Sequence, residues 1–134
     1  MEVSEFIDLF TTDLQKEVEG VWVEYGKGVE WKIARAGNDE HARLQRSMAR
    51  ANQALFNMSD EASQEAQQKL VQRLYAQAIL KDVRGLTLDG QEVKYTVDLG
   101  LKALAKKDFF DWVHSHAKQM EAYQTKAEDE AVKN

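Results

Sequence analysis

Residues 21–35, Val21-Trp22-Val23-Glu24-Tyr25-Gly26-Lys27-Gly28-Val29-Glu30-Trp31-Lys32-Ile33-Ala34-Arg35, form a short alternating block in a chain that otherwise reads as helix. The block holds two of the three tryptophans. Val29, Trp31 and Ile33 fall on one face of an extended strand, with Glu30 and Lys32 on the other. Val21 and Val23 alternate in the same way, and Gly26 and Gly28 offer the positive φ angles that a tight reversal needs. A strand pair carrying this much apolar bulk and no reactive group reads as a packing and recognition device.

The chain has 134 residues and is most simply one domain, expected over 1–124 and followed by a charged, flexible tail over 125–134. A hydrophobic content of 43% allows a real core, while 31% charged residues point to long solvated helix faces. The net charge of −5 argues against general nucleic-acid binding, which needs a basic footprint. Without cysteine, the chain has no disulfide, no thiolate metal ligand and no thiol nucleophile. Met1-Glu2-Val3-Ser4-Glu5 is acidic, unlike a signal peptide, and no apolar run approaches membrane-spanning length. A soluble intracellular protein is expected.

With no proline, turns must rest on Gly, Asn, Asp and Ser. Ser4 is expected to cap a helix with Phe6, Leu9, Phe10 and Leu14 inward, stopping at Gly20. Asn38 or Asp39 caps a helix to about Met58, with His41, Leu44, Met48, Ala51, Leu55 and Met58 as its stripe. After Ser59-Asp60-Glu61, a second long helix turns Ala62, Ala66, Leu70, Leu74 and Ala78 inward and runs to a stop at Gly85. So short a break makes the two an antiparallel hairpin. Residues 86–95 alternate around Asp89-Gly90, a strong hairpin signal. Thr96 or Asp98 caps a short helix through Leu101 and Leu104. Asp108 caps a last one bearing Phe109, Trp112, Val113, His116, Met120 and Tyr123. The fold class is α+β, mainly α: a helical domain with an N-terminal β-hairpin and a second short hairpin between helices.

Catalytic and metal chemistry find little support. His114 and His116 are two apart on a helix and point to different faces, and His41 is remote, so all three read as ordinary surface or interface side chains. Asp108 and Asp111, and Glu128-Asp129-Glu130, read as caps or solvated faces. There is no nucleophile elbow, P-loop or dinucleotide fingerprint. No enzyme activity, cofactor or metal is expected. Arg35, Arg43, Arg46 and Arg50 form a basic stripe that either docks an acidic partner or neutralises neighbouring acidic helices.

Aromatic side chains are the more informative set. A domain of this size has trouble enclosing Phe6, Phe10, Trp22, Trp31, Phe56, Phe110 and Trp112, and each ring left wet forfeits about 1.5–3 kcal/mol. At least one apolar patch is therefore expected to be an interface, with Phe6, Phe10, Trp22, Trp31, Phe109, Phe110 and Trp112 as partner-binding candidates.

The order and spacing of several blocks resemble the tail assembly chaperones of long-tailed bacteriophages. These blocks are Val21-Trp22-Val23-x-Tyr25-Gly26, Val29-x-Trp31-x-Ile33-Ala34-Arg35 with Gly37-Asn38, Ala78-Ile79-Leu80-Lys81-Asp82-Val83-Arg84-Gly85-Leu86, and Asp89-Gly90-Gln91-Glu92-Val93-Lys94-Tyr95-Thr96. Leu99, Leu104, Phe109 and Phe110 continue the likeness, which runs from about Glu17 to Tyr123. Val83 stands where the pattern favours tryptophan. The resemblance implies a non-catalytic factor of the host cell cytoplasm, absent from the mature virion, that binds the tape measure protein, self-associates along it and helps recruit the tail tube protein. The family often makes a longer product by ribosomal slippage. Lys133-Asn134 fits an A-rich slippery run, and tube recruitment would belong to that extension. The alternatives are a structural virion protein of the head–tail connector type and a small nucleic-acid-binding regulator using the arginine stripe. No membrane partner is expected.

Overall fold

The computed structural model describes residues 1–124, so the expected tail over 125–134 lies outside the described residues. Helices α1 (Val3–Asp8) and α2 (Leu14–Glu19) precede strands β1 (Val21–Gly26) and β2 (Val29–Ile33). Then come α3 (Asp39–Ala51), α4 (Gln53–Phe56), α5 (Glu61–Ala78) and β3 (Leu80–Arg84). A small hairpin, β4 (Thr87–Leu88) and β5 (Gln91–Glu92), leads to α6 (Val97–Leu104), α7 (Lys107–Ala117) and a 3₁₀ turn at Met120–Tyr123. The fold is α+β and mainly α, with both expected hairpins present.

The hairpin of β1 and β2 gains a third strand. β2 lies at the centre of an antiparallel sheet of order β1-β2-β3, with Trp31 opposite Val23 on one neighbour and Val83 on the other. The long helix therefore ends at Ala78 rather than at Gly85. Ala76, Ile79, Leu80 and Val83 follow i, i+3, i+4, i+7 spacing, so periodicity alone favours a helix through this stretch. The edge of β2 overrides it, because its backbone groups need partners and residues 80–84 supply them.

The N-terminal expectation also needs correction. α1 is short, begins after Glu2, and buries none of its residues; Ser4 lies inside it and caps nothing. Phe6, Leu9, Phe10 and Leu14 are all exposed. Asp13 starts α2 instead, its carboxylate accepting from the backbone N–H groups of Gln15 and Lys16 at 3.0 and 3.2 Å. Gly20 ends α2 at φ +91°, pressed against the backbone of Ile33.

Asn38 caps α3 as expected, accepting from His41 N–H at 3.0 Å. The helix breaks at Asn52 rather than running to Met58, because the Asn52 amide donates back to Met48 O at 2.8 Å. Asp60 caps α5 by accepting from Ser63 N–H; the Ser63 hydroxyl, donating at 2.6 Å, and then that N–H hold the carboxyl pKa below its ordinary value. The hairpin of α3–α4 and α5 is antiparallel: Glu40 pairs with Lys81 at one end, and Gln67 donates to Leu55 O at the other. Ala62, Ala51 and Met58, expected inward, are exposed. Thr96 caps α6, accepting from Leu99 N–H at 3.1 Å. Lys106 precedes α7 without a side-chain cap, so Asp108 sits within the first turn and favours the helix only through its charge.

The core forms where the inner sheet face meets α5, α6 and α7. It contains Trp31, Ile33, Tyr75, Ala76, Ile79, Leu80, Val83, Leu104, Val113 and Ala117. The Tyr95 hydroxyl donates to Ala76 O, closing α6 onto α5. Tyr123 is fully buried; its hydroxyl donates to Ile33 O at 3.0 Å, and its carbonyl accepts from Asp13 N–H at 2.8 Å. One residue thus ties the sheet to the start of α2, its side chain holding β2 and its backbone holding Asp13.

Candidate interaction surface

Rings pass from the core to the surface in a continuous row. Trp31, 4% exposed, meets Phe109 at 5.0 Å between ring centroids. Phe109 stacks on Trp112 at 5.8 Å, their i, i+3 spacing on α7 placing them on one face. Trp112 meets Tyr25 edge-on at 5.2 Å, and Tyr25 is 58% exposed. Phe109 and Trp112 are themselves half-buried. The row therefore ends in a ridge of aromatic surface formed by Tyr25, Trp112 and Phe109.

Other aromatic candidates divide among distinct places. Phe110 points away from Phe109, as expected, and packs on Tyr75 at 4.8 Å. Trp22 lies on the outer sheet face beneath the guanidinium of Arg84, 4.0 Å from the ring centroid. Arg84 also donates to both Glu30 oxygens at 2.9 and 3.0 Å, which holds the Glu30 pKa below its ordinary value. Phe6 on exposed α1 and Phe10 in the turn after it form an edge-to-face pair at 5.3 Å. Trp31 belongs to the core, and its candidacy as a partner-contacting residue is corrected by its burial. Tyr25 was not among the candidates: alternation from Val23 puts it on the face that carries Trp31, where it reaches Trp112 and yet stays 58% exposed near the end of β1.

The arginine stripe also divides. Arg35 donates to Glu17 at 3.0 Å and is half-buried, so it leaves the stripe. Arg43, Arg46 and Arg50 remain exposed along α3. Among the described residues, no group of three or more His, Asp or Glu side chains could hold a metal ion, and no helix is long and apolar enough to cross a membrane.

His41 departs from the surface reading. It is buried, its Nδ1 accepts from Gly37 N–H at 2.8 Å, and its ring meets Tyr75 edge-on. Tyr75 in turn bonds His114, and burial raises its phenol pKa to about 12. Burial, then the neighbouring charge of His114, lowers the His41 pKa from its ordinary 6.5. Between the lowered value and 6.5 the unfolded chain binds a proton that the folded chain refuses, so stability falls as pH drops through that window. Thermal melts below pH 6.5 should show this acid slope, and His41→Gln should flatten it. An unchanged slope in the variant would remove His41 as its source.

A family model described as the YdaY prophage protein matches residues 35–134. The chain belongs to the YdaY prophage protein family. No curated protein and no solved structure matches it. YdaY membership makes this a phage-related protein. The matched segment contains Phe109 and Trp112 of the ridge, whereas Tyr25 and most of the first hairpin precede it.

Proposed function

We propose that this YdaY-family chain is a non-catalytic phage tail assembly chaperone that binds the tape measure protein, multimerises on it and helps recruit tail tube subunits. The observation that carries the reading is the Tyr25–Trp112–Phe109 ridge, an aromatic surface backed by the core. A long helical client offers apolar side chains at i, i+3, i+4 and i+7, and a rigid aromatic ridge is suited to take them. Prophage family membership and the ordered motif blocks from Glu17 to Tyr123 support the same reading. Tail tube recruitment would run through a longer frameshift product, and the protein would act in the host cytoplasm and be missing from virions. Mass spectrometry of purified particles separates this role from a structural one.

Co-expression with the tape measure protein of the same gene cluster is the direct test. Wild type should keep the client soluble, whereas Tyr25→Asp/Trp112→Asp should lose that rescue with its thermal melt retained. A soluble client without the chain, or full rescue by a folded double variant, would overturn the assignment of the ridge.

A further inference from the structure

α1 and the turn that follows it present an apolar face that the other described residues leave uncovered. Val3, Phe6, Ile7 and Phe10 follow i, i+3, i+4, i+7 spacing and are 74, 55, 59 and 58% exposed. Glu5 and Asp8 lie on the other side of the helix and Glu2 stands at its head. None of these carboxylates has an ion-pair partner among the described residues.

A complementary surface lies elsewhere on the same chain. Arg46, Ala49, Arg50, Gln53, Phe56 and Asn57 line an open groove at the α3–α4 junction, and Arg43 extends the charge along α3. Phe56 is 36% exposed there. None of the three arginines has an ion-pair or hydrogen-bond partner among the described residues. The apolar floor suits the face of a short helix, and the arginines suit its carboxylates.

We propose that α1 of one copy docks in the α3–α4 groove of the next. The occupant is a second copy of this chain because acidic helix and basic groove are both uncommitted, opposite in charge and present in equal number. The two patches differ, so the contact is heterologous and builds an open chain of copies rather than a closed dimer. A helix this short buries less than a standard interface, so association is concentration-dependent and weakened by salt. The proposal gives surfaces to the self-association in the reading above and to that extent rests on it, but its test needs no client.

Sedimentation of the full chain across a concentration series should show mass growing without a fixed end point, less so at high salt. Phe6→Asp/Phe10→Asp and Arg46→Glu/Arg50→Glu should each be monomeric with unchanged melts, since the altered side chains are exposed. Mixed together they should form a dimer and nothing larger, because each retains the surface that the other lost. Monomeric wild type, self-association surviving either variant, or a monomeric mixture would overturn the docking. Client rescue by a monomeric variant would leave the chaperone reading standing without this contact, and self-association without rescue would do the reverse.

Discussion

Replacing Trp31 by alanine is expected to cost about 3–5 kcal/mol of folding stability, the range for truncating a buried tryptophan. Trp31 occupies the middle of the central strand and is 4% exposed. Its ring touches Phe109 and, at 6.3 Å, Tyr95, while Val23 and Val83 flank it across the sheet. None of these neighbours can collapse into the vacated space without moving a strand or α7, so both the transfer loss and the cavity remain. Denaturant unfolding should show a lower midpoint with the slope retained. Trp22→Ala is the comparison: that ring is half-buried beneath Arg84 and its cation–π contact is worth about 0.5–1 kcal/mol. Equal losses at the two positions would contradict the placement of Trp31 in the core. A typical domain has about 5–15 kcal/mol in hand, so Trp31→Ala removes a large share of it, and any loss of client rescue should come with a lowered melt rather than from a missing contact.

Gly85→Ala is expected to cost about 2–4 kcal/mol, combining left-handed strain with a backbone collision. Gly85 has φ +91°, and a Cβ there would run into the carbonyl oxygen of Gly28 and lie 3.2 Å from Val29 Cα. Both obstacles are backbone of the turn from β1 into β2, so relief requires moving the hairpin away from the end of β3. Gly90 isolates the conformational part: φ is +81° but a Cβ would meet open space. Gly90→Ala should therefore cost only about 1–2 kcal/mol. The difference in unfolding midpoint measures the collision, and identical losses would show that β3 does not approach the turn this closely.

These two positions also mark how far the chain could be read in advance. Alternation at Val29, Trp31 and Ile33 identified a strand and its covered face, because a one-residue slip would put every one of those side chains in water. Asn38 and Thr96, each one of two candidates, announced helix starts, since an N-cap acts within a few residues of itself. Residues 80–84 mislead when read this way, for Leu80 and Val83 continue the helical spacing of α5 and only pairing with β2 makes them a strand. Of the aromatic candidates, Phe109 and Trp112 were legible as one face from their spacing on α7. Tyr25 was not, because alternation gives its face but not that it stays 58% exposed beside Trp112 on α7.

Local pattern thus set the two hairpins, the starts of α3 and α6 and the mainly helical character of this YdaY-family chain. Assembly settled which apolar surfaces stayed wet. Phe6 and Trp31 both look like core residues in the chain, yet one is 55% exposed and the other 4%. Burial depends on what arrives on the far side of a residue: α7 and both flanking strands come to Trp31, and nothing in the described molecule comes to the apolar face of α1.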